Sequence, residues 1–187
     1  KHHKSERFTL GLSQYSLRAL LRDGSLDALD FPQFSVDQFG INAIDLWEGG
    51  LPKDNLDDSK YLTKMRGKAD KAGTDLFLLM SGALDASKEK REASSFRISK
   101  SFNRAVKLGA PLVRIFLKAP GALPSKGLEA SVEALKPLAD EAAKKKLTIA
   151  IEPGASELTQ KGAFLAKVAS RLNHPALKLM PDFGKLK

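Results

Sequence analysis

The chain has 187 residues, of which 42% are hydrophobic and 28% charged, and these proportions predict one globular domain with a sizeable core. The absence of cysteine excludes disulfide bonds, thiolate zinc sites and cysteine nucleophiles. The net charge of +9 favours anionic partners, but the lysines are scattered and only residues 144–146 form a run. The scattered charge therefore disfavours a nucleic-acid partner, and without an apolar run of about 18 residues we expect no membrane partner.

The first seven residues carry charge but no apolar stretch, which predicts an unstructured tail over 1–7 and a single domain over 8–187. No secretory signal is visible in this tail, so we expect a cytoplasmic protein. A chain whose signal had been removed after export would look the same.

Six short apolar runs alternate with longer amphipathic stretches along the chain. Because these runs are almost continuously apolar, they are typical of strands buried on both faces of a parallel sheet. Alternation of strand and helix at intervals of about 30 residues predicts parallel pairing with right-handed crossovers. The predicted strands are 9–12, 43–47, 76–80, 113–117, 148–151 and 177–180, and the clearest helices are 88–108, 128–146 and 157–172.

Glycine, proline and serine fall at the expected ends of these elements. Gly40, Gly73 and Gly109 each follow a helical stretch and precede a strand, where a left-handed helix terminus is expected. Pro32 suits the first turn of a short helix, and Ser156 is placed to cap the helix before the sixth strand.

Two architectures fit this alternation, a doubly wound sheet and a (β/α)8 barrel. A dinucleotide-binding sheet should carry G-x-G-x-x-G after its first strand, but the sequence there is Ser13-Gln14-Tyr15-Ser16. Polar residues at the strand ends fit the barrel better, although a barrel takes about 250 residues and eight strands. We predict an α/β fold, a (β/α)8 TIM barrel of which this chain carries about six βα units.

Polar residues follow the predicted strands at their carboxyl ends, the face on which barrel active sites are built. Glu152 and Asp182 directly follow apolar runs on neighbouring strands and would converge within reach of one divalent cation. Spacing alone favours the alternative that they cap helices or pair with lysines. Trp47 fits either core packing or a sugar-stacking platform. The remaining strand-end candidates are Gln14, Ser16, Glu48, Ser81 and Lys118.

The stretch Ile149-Ala150-Ile151-Glu152-Pro153-Gly154, followed about 30 residues later by Leu179-Met180-Pro181-Asp182-Phe183-Gly184, resembles the sugar phosphate isomerase/epimerase family. That family has the xylose isomerase-like TIM barrel. The segments 10–17, 26–32, 68–73, 105–109 and 113–115 are also similar to it. The likeness extends from about Phe8 to Lys187.

The resemblance implies a metal-dependent isomerase or epimerase of carbohydrate metabolism that acts on a sugar or sugar phosphate. The family's divalent metal (Mn, Mg, Zn or Co) is held by residues that map onto Glu152 and Asp182. A His and a further carboxylate from the seventh and eighth strands would lie beyond Lys187. Glu152 would also transfer a proton next to a carbonyl, while the metal stabilises the enediolate.

The carbohydrate would contact residues from several strand ends. They are Gln14, Trp47, Glu48, Lys118 and Lys185. The family often reads Glu-Asn-His where this chain has Glu152-Pro153-Gly154, and Asn or His where it has Lys185. Lys185 fits either a cation that binds substrate or steadies an enolate, or a solvated surface lysine.

Two other functions stay open. The same fold serves a lyase or hydrolase acting on modified sugars, or a non-catalytic sugar-binding relative, and the replaced Asn-His pair favours this option. Endonuclease IV has a similar barrel, but its multi-zinc site needs histidines at strand ends, where this sequence has none. Six barrel strands would leave two open edges, so we expect either a longer protein or self-association as a homo-oligomer.

Overall fold

The computed structural model describes residues 8–121 and 123–185. The predicted tail over 1–7 lies outside the described residues. The chain divides into two compact units, Lys1–Phe77 and Leu78–Lys187. The prediction of one partial-barrel domain over 8–187 stays a prediction.

The first unit contains two parallel strands, with Leu12 of the first opposite Ile44 of the second. Its second helix begins with Pro32 in the first turn and ends at Gly40, whose φ of 64° is left-handed, as the sequence predicted. The elements are β1 (Gly11–Ser13), α1 (Arg18–Arg22), α2 (Phe31–Phe39), β2 (Ala43–Trp47) and α3 (Ser59–Lys71), with short 3-10 turns at Gln14–Leu17, Glu48–Gly50 and Lys53–Asn55.

The second unit takes in most of β3 and continues the alternation of strand and helix. Each strand from β3 to β6 pairs in parallel with the next one along the chain. The elements are β3 (Asp75–Asp85), α4 (Arg91–Leu108), β4 (Leu112–Lys118), α5 (Pro124–Lys144), β5 (Thr148–Glu152), α6 (Gly162–Leu172) and β6 (Leu177–Leu179), with a 3-10 turn at Leu158–Gln160.

The core of the second unit lies along its central strands. Val113 and Ile115 of β4, and Ile149 and Ile151 of β5, are fully buried. Burying a valine or isoleucine side chain stabilises a fold by roughly 1.5–3 kcal/mol, so these four residues stabilise the two strands whose ends carry the polar groups. Leu135 is likewise fully buried on α5. The polar groups at the strand ends are therefore held on a rigid base.

The third strand is longer than the sequence predicted, and the expectation that Ser81 follows it is wrong. Ser81 lies inside β3 and is buried, and its Oγ is 2.7 Å from Oγ of Ser101 on α4. This hydroxyl pair lets a polar residue sit inside a strand without an unpaired group. The pairing with β4 shifts register between Met80 and Ala83, so the strand continues past an irregularity to Asp85.

The last helix begins later than predicted, and Ser156 does not cap it. That helix starts at Gly162, after the 3-10 turn. The Oγ of Ser156 instead accepts a hydrogen bond from the backbone N–H of Ala119 at 3.2 Å, and the backbone N–H of Thr159 donates to the Ser156 carbonyl at 3.1 Å. Ser156 thus fastens the loop that follows β5 to the residue after β4.

Parallel strands alternating with helices confirm the predicted α/β class. Within residues 8–121 and 123–185, no helix combines the length and the apolar character needed to cross a membrane.

Candidate functional site

Glu152 is the last residue of β5, and its carboxylate is buried against an arginine. The Oε2 atom lies 2.9 Å from Nε of Arg114, and each of the two side chains is 5% exposed. Arg114 also donates from Nη1 to the carbonyl oxygen of Ser81 at 2.9 Å. The ion pair with Glu152 and the hydrogen bond to Ser81 therefore hold the guanidinium, which in turn fixes the position of the carboxylate.

Arg114 was not among the predicted site residues, although the sequence carries a signal for it. Arg114 lies between Val113 and Ile115 in an otherwise apolar run, on a strand buried on both sides. A buried charge needs a partner of opposite sign, because removing an ion from water is costly. An arginine in such a run therefore indicates a buried carboxylate on a neighbouring strand, and here that carboxylate is Glu152.

Asp182 follows β6 and is fixed by the turn that it starts. Its Oδ1 accepts a hydrogen bond from the backbone N–H of Gly184 at 2.9 Å, and its backbone carbonyl accepts from the N–H of Lys185 at 3.0 Å. Its Oδ2 lies 3.2 Å from Nζ of Lys185. Hydrogen bonds from the Lys185 side chain and the Gly184 backbone hold the pKa of Asp182 below its usual value.

Lys185 joins the two carboxylates that the sequence singled out. Its ammonium binds Oε1 of Glu152 as well as Oδ2 of Asp182. Partial burial alone would lower the pKa of Lys185, but the hydrogen bonds to Glu152 and Asp182 outweigh burial and raise it above its usual value. The lysine is thus a charged member of this cluster, and we call Arg114, Glu152, Asp182 and Lys185 the four-charge cluster.

An aromatic ring and a glycine shape the surroundings of the lysine. Cζ of Arg114 lies 4.4 Å, and Nζ of Lys185 4.9 Å, from the centre of the Phe116 ring, distances typical of cation–π contacts. Gly154 has a φ of 133°, and a Cβ there would lie 3.2 Å from Cδ of Lys185. The glycine therefore provides both an unusual backbone conformation and the room in which the lysine stem lies.

A second ion pair lies at the ends of β3 and β4. Nζ of Lys118 is 3.4 Å from Oδ2 of Asp85, and the two residues are paired in the sheet register. Burial alone would raise the pKa of Asp85, but hydrogen bonds from Ser87 and Lys118 outweigh it and hold that pKa below its usual value. The Lys118 side chain is half exposed, so its role in substrate binding stays a prediction. Asp85 was missed because β3 was predicted to end at Met80.

The other predicted contacts belong to the first unit. Gln14 is fully buried, and its Oε1 accepts a hydrogen bond from the backbone N–H of Trp47 at 2.9 Å. The Trp47 ring packs edge-on against Tyr15 at 4.9 Å and lines a pocket of about 410 Å³ together with Arg22. Glu48 opens the 3-10 turn after β2. Their binding of carbohydrate stays a prediction.

The resemblance implies a divalent metal between Glu152 and Asp182. The structure brings Glu152 and Asp182 to one point, but an ammonium already binds both, and Arg114 binds the first. Among residues 8–121 and 123–185, no group of three or more His, Asp or Glu side chains is placed to hold a metal ion. This donor set does not by itself fit a divalent cation, and the metal stays a prediction.

Solved structures with the same fold include enzymes that act on sugars or related compounds. A probable 3-DHS dehydratase involved in petrobactin synthesis from Bacillus anthracis superposes with a TM-score of 0.78 at 18% identity, over 96% of this chain and 64% of that one. D-psicose 3-epimerase with D-tagatose from Clostridium cellulolyticum H10 gives 0.69 at 16%, over 84% and 58%. The 3-keto-D-glucoside 4-epimerase of E. coli gives 0.68 at 11%, over 84% and 64%.

At these identities the likeness shows the fold, and the chain spans less than two thirds of each of these three proteins. No curated protein sequence matches the chain. Residues 35–186 match the family model described as the xylose isomerase-like TIM barrel, which confirms the resemblance and the partial barrel predicted from the sequence. The chain belongs to the xylose isomerase-like TIM barrel family.

Proposed function

We propose that this chain carries part of the active site of an isomerase or epimerase acting on a sugar or sugar derivative, with Glu152 as the group that moves the proton. The observation that supports this most directly is the placement of one buried carboxylate beside two cations at the carboxyl end of β5. Active sites of barrels are built on that face. The two named epimerases with this fold make the same class of reaction a reasonable expectation.

The reaction begins with a C–H bond next to a carbonyl group. Oε1 of Glu152 takes the proton, the electron pair of the C–H bond forms a C=C bond, and the π pair of the carbonyl moves to its oxygen, giving an enediolate. Return of the proton to the neighbouring carbon, with transfer of the hydroxyl proton from one oxygen to the other, gives the isomer. Delivery of a proton from solvent water to the opposite face of the same carbon gives the epimer, while Glu152 gives its proton back to solvent. Arg114 holds Oε2 throughout, so the carboxylate keeps one fixed oxygen and presents the other.

Lys185 must leave Oε1 before that oxygen can accept a proton. Its side chain is 43% exposed, whereas that of Arg114 is 5% exposed, so the lysine is the freer of the two partners. A substrate oxygen that takes over the ammonium releases Oε1 at the moment when negative charge develops on that oxygen.

A lyase acting on modified sugars is the second candidate and shares the first step. After Glu152 takes the proton, a leaving group on the next carbon departs with the electron pair of its own C–O bond. The Lys185 ammonium is placed near that carboxylate and can supply a proton to the leaving oxygen. The residues that replace Asn-His after Glu152 favour this candidate, because the family's usual substrate contacts are missing there.

Proton exchange tests the proposal without requiring the substrate to be known in advance. The protein is incubated in deuterated water with a panel of aldoses, ketoses and keto sugars, and loss of the signal of the proton next to the carbonyl is followed by NMR. We expect exchange with at least one sugar for the wild type and its loss in Glu152→Gln. Glu129→Gln, on the exposed surface of α5, is the matched control and should exchange as the wild type does.

Product analysis in the same samples separates the two candidates. An isomer or epimer of equal mass supports the first, and an unsaturated or dehydrated product supports the lyase. Exchange that survives in Glu152→Gln at the wild-type rate would refute the assigned role of this residue. Binding of a sugar without any exchange would favour the non-catalytic sugar-binding alternative.

A further inference from the structure

The resemblance assigns Glu152 and Asp182 to a divalent cation, but in the structure both carboxylates contact Nζ of Lys185. The Lys185 ammonium binds Oε1 of Glu152 and lies 3.2 Å from Oδ2 of Asp182. We propose that this ammonium takes the place of the divalent cation, so that Glu152 and Asp182 serve to hold a lysine and not a metal. The part of this proposal that concerns catalysis rests on the proposed function, and the part that concerns metal binding does not.

The charges of the four-charge cluster balance without a metal. Glu152 and Asp182 contribute two negative charges, and Arg114 and Lys185 contribute two positive charges, which sum to zero. A divalent cation added between the carboxylates would meet the ammonium at close range and leave the cluster with two excess positive charges. Repulsion at such distances is strong where water is scarce, and Glu152 and Arg114 are both buried.

The position of the lysine is built into the backbone around it. The hydrogen bond from the Gly184 N–H to Oδ1 of Asp182, and that from the Lys185 N–H to the Asp182 carbonyl, form a tight turn that brings the lysine back to the carboxylates. Gly154 leaves room for its stem, because a Cβ there would lie 3.2 Å from Cδ of Lys185. The Phe116 ring lies 4.9 Å from the ammonium. A solvated surface lysine would need none of these arrangements.

An ammonium in this place retains a way to act on a substrate. It has three N–H donors, of which the carboxylates of Glu152 and Asp182 take two. With its side chain 43% exposed, Lys185 can direct the third donor at an oxygen that enters from solvent, and it releases Oε1 of Glu152 as that contact forms. It would then stabilise an enediolate oxygen by a charge-assisted hydrogen bond, which is the task that a metal performs elsewhere in this chemistry.

Mn²⁺ binding measured by calorimetry and electron paramagnetic resonance tests the proposal with no substrate present. The wild type, first dialysed against a chelator, is compared with Lys185→Met, which keeps the length of the stem beside Phe116 but removes the charge. Lys185→Arg keeps a cation, and Lys178→Ala removes an exposed lysine of β6 as the control. Circular dichroism establishes that each variant is folded.

We expect Lys185→Met to bind one Mn²⁺ at least about tenfold more tightly than the wild type, because removal of the ammonium leaves both carboxylates without their shared cation. Lys185→Arg and Lys178→Ala should bind as weakly as the wild type. Stoichiometric Mn²⁺ binding by the wild type, undiminished relative to Lys185→Met, would overturn the proposal. So would the absence of binding in every variant, since Glu152 and Asp182 would then form no cation site.

Deuterium exchange separates this proposal from the function on which its catalytic part rests. If exchange occurs, it should withstand the chelator and fall in Lys185→Met. If no sugar exchanges with the wild type, the proposed function fails, while the Mn²⁺ measurements still decide whether the lysine occupies the cation position.

Discussion

Removing the arginine that holds Glu152 should be among the most damaging single changes in the second unit. Arg114 and Glu152 are each 5% exposed in their side chains and lie 2.9 Å apart. Arg114→Met would leave the carboxylate buried, with its Oε2 deprived of the guanidinium, and would also remove the donor to the Ser81 carbonyl. Loss of one partner from a buried ion pair costs about 3–5 kcal/mol.

Urea unfolding followed by circular dichroism measures this cost. With a slope of about 2 kcal/mol per molar urea, a loss of about 4 kcal/mol lowers the midpoint by about 2 M. Arg97→Met is the matched control, because Arg97 lies on the exposed face of α4. Its free energy of unfolding should differ from that of the wild type by less than about 0.5 kcal/mol.

A double-mutant cycle identifies the carboxylate as the cause. Glu152→Gln removes the buried charge that Arg114→Met would strand, so the double variant should be more stable than the sum of the two single changes predicts, by about 0.5–3 kcal/mol. If Arg114→Met unfolds within about 1 kcal/mol of the wild type, or if the two changes are additive, the reasoning about this buried pair is refuted.

Two further predictions concern the lysine stem and the second ion pair. Gly154→Ala places a side chain at a φ of 133° and against Cδ of Lys185, so it should lower the free energy of unfolding in urea by about 1–3 kcal/mol. The control is Gly67→Ala on α3, where the space is open and the change should not destabilise the protein. Because the pKa of folded Asp85 lies below its usual value, the charged form adds stability above the unfolded pKa, and this stability disappears as the pH falls through the folded pKa. Thermal melts across the acid range should therefore show a smaller loss of stability in Asp85→Asn than in the wild type, and identical slopes would contradict that assignment.

The fold could be predicted because apolar runs report burial on both faces of a sheet. Strand β2 occurs where the sequence placed it, and β5 extends one residue further. The pattern failed where polar groups satisfy one another inside the fold. Ser81 of β3 pairs with Ser101 of α4, so the buried hydroxyl is satisfied and β3 continues through a run of small and polar residues.

The candidate site was predictable in its positions but not in its contacts. Strand ends placed Glu152 and Asp182 on one face, and the structure brings them to one point. The spacing of the residues could not predict that the cation between them is Lys185. The lysine reaches both carboxylates through a turn that depends on the backbone hydrogen bond from Lys185 to Asp182, and no residue pattern specifies that bond. Arg114 was missed because the site residues were sought at the strand ends, whereas this buried charge lies inside β4.

A crystal structure of the protein grown with MnCl₂ and recorded at the manganese absorption edge tests the central claim most directly. The account predicts Nζ of Lys185 within hydrogen-bond distance of both Glu152 and Asp182, Arg114 against the other carboxylate oxygen of Glu152, and no anomalous density between the two acidic residues. A manganese peak between Glu152 and Asp182, with Lys185 turned away into solvent, would contradict it.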